Sequence, residues 1–292
     1  MSHCQAPERP RFCLPCLTIP GRFGHTAFRM NSHSVREADG LRLEVGGGVA
    51  RLTLDRAPVN AIGEAWLRAF HGCLDALGAR ADWQLLHLRS AQKVFCAGAD
   101  LAEMRTRLGS PAGIDAMVDV AAGMQKLFAR IEAMPQVTLA EIGGAALGGG
   151  LELALACDLR IAANEAKIGL PEVRLGLVPG AGGTQRLTRL AGRATALRLI
   201  LTGETLDGAG AATLGLVQWA VPRSALAGRA AEIADRIASS PAEALAACKR
   251  CVGAAEDPAR DGYAEELAQS RRLYASEATR ALVDAFLAGA TH

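Results

Sequence analysis

Two glutamates stand where charged side chains are uncommon. Glu152 closes A-L-G-G-G-L-E (Ala146 to Glu152) and is followed by the apolar run L-A-L-A-C. Glu172 lies inside G-L-P-E-V-R-L-G-L-V-P-G-A-G-G-T-Q-R-L (Gly169 to Leu187). A carboxylate in an apolar stretch is costly unless it is paired or hydrogen-bonded. Two readings fit Glu152 alone: a side chain that reaches solvent or an arginine, and one held in a pocket for acid–base work. Gly148, Gly149 and Gly150 favour the second. Glycine is less favourable in a helix than alanine by about 1 kcal/mol per position. It offers freedom in φ and close backbone approach. A glycine turn that runs into a helix also leaves N–H groups without acceptors at the positive helix end, and such groups can hold a developing oxyanion. The segment reads either as an anion-binding backbone beside an acid/base side chain, or as a tight strand-to-helix turn.

Three blocks carry a resemblance: K-V-F-C-A-G-A-D-L (Lys93 to Leu101), G-A-A-L-G-G-G-L-E-L-A-L-A-C-D (Gly144 to Asp158), and the stretch from Gly169 to Leu187. In order and spacing they resemble the crotonase superfamily, the enoyl-CoA hydratase/isomerase group, from about Leu41 almost to the C-terminus. The resemblance implies an α/β fold, a spiral of β-β-α units followed by a helical C-terminal region that assembles trimers or hexamers. It also implies roles. The backbone N–H groups of Ala99 and Gly149 would hold a thioester carbonyl. Glu152 would activate the water that adds to the β-carbon, and Glu172 would deliver the proton to the α-carbon. Arg56, Ala57, Val59, Ala97, Gly98, Asp100, Leu101 and Gly148 would line the substrate and coenzyme A path. The implied substrate is a 2-enoyl-CoA thioester and the product a 3-hydroxyacyl-CoA, with coenzyme A as part of the substrate and no further cofactor or metal. Isomerases of the group usually keep only the counterpart of Glu172, so retention of both glutamates favours hydration over isomerisation.

Departures are specific. Where the family commonly has N-R-P…N-A-L, this chain has Asp55-Arg56-Ala57-Pro58-Val59-Asn60-Ala61-Ile62. The basic C-terminal end that can meet coenzyme A phosphates is replaced by A-L-V-D-A-F-L-A-G (Ala281 to Gly289). Gly180 to Arg186 looks like a phosphate loop but lacks the lysine of a Walker motif; it reads as a glycine turn that shapes the pocket and caps the next helix, with Arg186 in an ion pair. One branch of the family binds RNA through a lysine comb on its early helix. Here the stretch Ile62 to Arg80 offers only Arg68 and Arg80, which disfavours that function.

Composition sets wider bounds. The chain has 292 residues, 50% of them hydrophobic, and a formal net charge of +2. That suits one large α/β unit and argues against a nucleic-acid partner. No apolar run reaches the length of a membrane span. Eight cysteines include two C-x-x-C pairs, Cys13/Cys16 and Cys248/Cys251, which read as free thiols in a reducing cytoplasm rather than as a zinc site. Residues 1–36, rich in proline and arginine, read as a disordered extension, 37–202 as the spiral core, and 203–292 as the helical trimerisation region.

Within the core, hydrophobic patterning predicts strands at Leu41 to Val45 and Val49 to Leu54 around a glycine turn, a helix from Ile62 to Leu77, and a strand from Gln84 to Leu88. A helix from Ile114 to Met134 and strands at Val137 to Ile142 and Leu159 to Ala163 follow. Glu152 falls in the first turn of a helix ending near Cys157. Further on, Ser240 is expected to cap a helix with Pro241 at its first position, and Ser276-Glu277 to begin the last helix.

Overall fold

The computed structural model describes residues 34–289. Most of the expected extension, with Cys4, Cys13 and Cys16, lies outside them. The sheet begins with β1 (Ser34–Ala38), ahead of the boundary drawn at residue 37, and β1 pairs antiparallel with β2 (Leu41–Gly46). In β2, buried Leu41, Leu43 and Val45 alternate with half-exposed neighbours, the pattern of a strand with one face on a core. Gly47, at φ 60°, turns the chain into β3 (Gly48–Leu54), antiparallel to β2. Helix α1 (Glu64–Gly78) then buries Trp66, Phe70, Cys73, Leu74 and Leu77 along one stripe.

From β3 onward the main sheet is parallel. β4 (Trp83–Ser90) lies beside β3. Helices α2 (Leu101–Arg107) and α3 (Pro111–Glu132) connect β4 to its neighbour β5 (Val137–Ile142). β6 (Ala146–Leu147) and α4 (Gly149–Leu155) come next and lead to β7 (Leu159–Ala163), parallel to β5. β8 (Ile168–Gly169), a 3-10 turn at Glu172–Leu175, α5 (Gly183–Thr202, kinked at Gly192), β9 (Thr205–Leu206) and α6 (Gly208–Thr213) follow. β10 (Trp219–Val221) closes the sheet against β7. The strand order is β1-β2-β3-β4-β5-β7-β10. Its central strands are covered on both faces, hence the near-continuous buried runs Leu85-Leu86-His87-Leu88 and Leu139-Ala140.

A second, three-stranded sheet, β6-β8-β9, positions the chemistry. β6 pairs parallel with β8, setting Ala146 opposite Ile168 and Leu147 opposite Gly169. The chain leaving β6 enters the helix of Glu152, and the chain leaving β8 enters the turn of Glu172. Two residues of pairing thus bring together segments twenty residues apart in sequence.

Four helices end the described chain: α7 (Arg223–Ala238), α8 (Ala242–Ala254), α9 (Gly262–Tyr274) and α10 (Glu277–Gly289). α7 buries Leu226, Ala230, Ile233 and Ala234. Lys249 ties α8 to the sheet through Asp158 at 2.8 Å and the Gln136 carbonyl at 3.2 Å. α9 and α10 bury no residue within the chain and expose Tyr263, Leu267, Tyr274, Leu282 and Phe286. The expected serine cap of α8 does not form. Pro241 takes the cap position, and the Ser240 hydroxyl turns back to the Arg236 carbonyl at 3.4 Å. Pro241 is extended, with ψ 127°, so the helix starts after it and Ser240 stands one residue too early to reach the first free N–H groups.

Candidate active site

The three glycines before Glu152 each have a steric reason. Gly148 has φ 54°, and a Cβ there would lie 3.1 Å from Glu172 Oε1. A Cβ at Gly149 would run into the Met124 methyl group, and one at Gly150 would overlap the Cys96 carbonyl. The close approach read from the sequence is therefore real, and it serves two contacts: the Glu172 carboxylate on one side and the loop Phe95–Gly98 on the other.

That loop runs alongside the glycine turn. Phe95 and Cys96 N–H donate to the Ala145 carbonyl at 2.9 and 3.0 Å, and Leu147 N–H donates to the Cys96 carbonyl at 3.1 Å. Gly98, at φ 93°, packs so closely against Gly149 that a Cβ on it would lie 2.9 Å from the Gly149 nitrogen. On its other edge the loop forms a parallel bridge between Ala99 and Ile62. Gly98 accepts from Ile62 N–H at 2.8 Å, and Asp100 N–H donates to Ile62 O at 3.0 Å. In such a bridge the N–H of the middle residue faces away from its partner strand. Among the described residues, neither Ala99 N–H nor Gly149 N–H, the latter opening α4, donates to an acceptor. Two unused donors therefore sit on adjacent strands of chain.

Glu152 is 2% exposed. Its Oε1 accepts from Ala181 N–H at 2.8 Å and Gly183 N–H at 2.7 Å. Burial raises its pKa; these two bonds and the Arg186 charge pull it back. Arg186 donates to the Ala181 carbonyl at 3.1 Å and pairs with Glu132 at 2.9 Å, the ion pair expected of it. The turn Gly180 to Gly183 thus shapes the cavity and opens α5 as expected. It has a further role that the sequence did not reveal, as the hydrogen-bond cradle of Glu152.

Glu172 differs. Its Oε2 is buried without a hydrogen-bond partner. Burial pushes its pKa up to about 7; its own backbone N–H pulls against that, and the Glu152 charge adds a lesser push upward. Two carboxylates, one held by two amides and one with an oxygen left unpartnered, will differ in which keeps a proton.

Both line one cavity of about 460 Å³ together with Ala97, Gly98, Ala99, Leu101, Gly148 and Gly149. The rest of its wall is apolar: Met104, Met117 and Met124 with Leu108, Ile114, Val118 and Leu177 among others. Among the described residues lining it, Glu152 and Glu172 alone are charged. The remaining expected site residues lie outside the cavity wall. Val59 accepts from Ala97 N–H at 3.0 Å, and Ala57 is exposed. Arg56 pairs with Asp100 at 3.1 Å and donates to the Ala61 carbonyl; Asp100 also caps α2 through Ala102 and Glu103 N–H at 3.1 and 3.2 Å. Arg56 lines a separate polar hollow of about 360 Å³ with Glu64, Arg68 and Glu103. His87 and His71 sit away from the cavity, His87 Nε2 lying 2.9 Å from Glu141 Oε2.

The family model for enoyl-CoA hydratase/isomerase matches residues 44–287. The chain belongs to that family. Its similarity to the enoyl-CoA isomerase/hydratase fer4 of Mycosarcoma maydis is 40% identity over 251 residues, spanning 82% of this chain and 89% of that protein. Among solved structures, an enoyl-CoA hydratase of Geobacillus kaustophilus superposes with a TM-score of 0.83 at 32% identity, over 88% of this chain and 97% of that one. An enoyl-CoA hydratase from Bacillus anthracis gives 0.78 at 32% identity, over 89% and 97%. The α/β spiral with a helical C-terminal region is thus the enoyl-CoA hydratase/isomerase fold.

Proposed function

We propose that the protein is an enoyl-CoA hydratase: it adds water reversibly to a 2-enoyl-CoA thioester to give a 3-hydroxyacyl-CoA. The observation that carries this is the pairing of unlike carboxylates, Glu152 cradled by two amides and Glu172 with its Oε2 unpartnered, in one apolar cavity beside two unused N–H groups. The thioester oxygen takes hydrogen bonds from Ala99 and Gly149 N–H. Ionised Glu152 removes a proton from water as its oxygen bonds to the β-carbon. The double-bond electrons move toward the carbonyl, whose negative charge the two N–H groups stabilise. Protonated Glu172 then delivers its proton to the α-carbon. Glu152 ends protonated and Glu172 ionised, and exchange with solvent restores both. The steps draw on nothing beyond the chain, water and the substrate. The apolar wall suits an acyl chain without charge, since a polar substituent there would lose its hydration uncompensated. The exposed apolar faces of α9 and α10 support assembly into the trimer or hexamer expected from the family. The test is incubation with trans-2-enoyl-CoA esters of increasing chain length. Loss of enoyl absorbance with a product heavier by one water supports the reading; a product of unchanged mass with a moved double bond would make the protein an isomerase instead.

A further inference from the structure

Asn60 combines three features that rarely coincide. It is 0% exposed, it is polar, and it holds φ 52° without being glycine. Asparagine tolerates that left-handed backbone better than most residues, yet a buried polar side chain needs partners for every atom. It has them. Oδ1 accepts from Arg56 N–H at 2.8 Å, and Nδ2 donates to Ser90 Oγ and the Phe95 carbonyl, each at 2.8 Å. The amide orientation is settled by chemistry, because a backbone N–H can only donate and a backbone carbonyl can only accept. Its own carbonyl accepts from the Cys96 thiol at 3.0 Å.

These contacts join two loops that are also tied by the exposed-edge Arg56–Asp100 ion pair at 3.1 Å and by backbone bonds, and among these Asn60 is the fully buried link. On one side lies the turn from Arg56 to Ile62; on the other, Phe95 to Asp100. Around Asn60 the bonds Ala97 N–H to Val59 O, Ile62 N–H to Gly98 O and Asp100 N–H to Ile62 O continue the seam. The direction of Ala99 N–H is set by that seam, since both flanking peptides are bound to Ile62. We infer that Asn60 is a positioning residue for the oxyanion site: its amide locks the Phe95–Asp100 loop to the Arg56–Ile62 turn, and so aims Ala99 N–H into the cavity. Asn60 touches no reacting atom. The inference rests on the reading of Ala99 as an oxyanion donor given above.

The test uses the full chain and the substitution Asn60→Asp. Aspartate keeps the left-handed turn and the acceptor for Arg56 N–H but loses both Nδ2 donations. An oxyanion donor displaced by about an ångström lowers turnover on the order of 10²-fold. The expected result is that fall in kcat with KM nearly unchanged, the mark of an interaction made in the transition state. Isotope-edited infrared spectra of a bound saturated acyl-CoA supply a readout that stability alone would not move. The thioester carbonyl stretch, lowered on binding to the wild-type protein, should return toward its free value in the variant. Wild-type kcat with the wild-type carbonyl shift would overturn the inference, as would a loss confined to KM. Should Asn60→Asp fail to fold, Asn60→Gly, which accepts the backbone, and Ser90→Ala, which removes one amide acceptor, are read by the same two measurements. If the wild-type protein hydrates no enoyl-CoA, the functional reading falls, while the carbonyl shift and its loss still decide the role of Asn60.

Discussion

Replacing Glu172 with glutamine should damage activity and improve stability, and the improvement should depend on pH. Burial holds the folded-state pKa of Glu172 near 7, against 4.5 for an ordinary glutamate. The folded protein therefore keeps a proton that the unfolded chain releases between those values. Stability falls as pH rises through that window and is lowest, on this account, above about pH 7. For a fully enclosed group the gap would be worth about 3.4 kcal/mol. Glu172 retains partial solvent contact, so about 1–2 kcal/mol is the reasonable expectation. Glutamine is neutral at every pH and escapes this loss. At about pH 5, Glu172→Gln and the wild type should unfold at similar denaturant concentrations. At about pH 8 the variant should be the more stable by that 1–2 kcal/mol, or several degrees in Tm. Chemical denaturation at the two pH values measures it. Hydration should meanwhile drop by at least about 10²-fold, the usual scale for a lost acid. A stability difference that is the same at both pH values, or a variant less stable at pH 8, would contradict a partly buried, proton-holding Glu172.

Two further outcomes follow from the same network. Glu152→Gln preserves an oxygen for Ala181 and Gly183 N–H, so it should fold while hydration falls by at least about 10²-fold; because the Glu152 charge helps raise Glu172, the alkaline limb of the residual pH–rate profile should move to lower pH. Arg186→Met removes the charge that adds to the Gly183 and Ala181 amides in lowering Glu152, so the acidic limb of kcat/KM should move modestly to higher pH, and an unmoved limb would mean that Arg186 serves stability alone.

What the sequence made legible was local. Val137–Ile142 and Leu159–Ala163 are strands with the bounds expected of them, because parallel, doubly covered strands leave unbroken apolar runs. The glycine triplet announced close backbone approach, and the approach is there. Contacts set by distant pairing were not legible. β6 and β8 are two residues each, too short for any periodicity, yet they bring the two glutamates to one cavity. The amides that cradle Glu152 come from Ala181 and Gly183, about thirty positions downstream, and backbone donors leave no side-chain signature. The pairing of Arg56 with Asp100, forty-four positions apart, and their bonds to neighbouring backbone likewise leave no local signal. Asn60 was visible only as part of a motif, since its burial and left-handed backbone depend on the loop it joins.

The central claim is that one cavity presents two N–H donors to a thioester and two carboxylates to the carbons beside it. The most direct measurement is a crystal structure of the protein with a saturated acyl-CoA analogue. The account expects the thioester oxygen about 2.7–3.1 Å from both Ala99 N and Gly149 N, with Glu152 and Glu172 facing the α- and β-carbons and the acyl chain among Met104, Met117 and Met124. A thioester oxygen held by other donors, with Glu152 and Glu172 turned away from the bound acyl group, would contradict it.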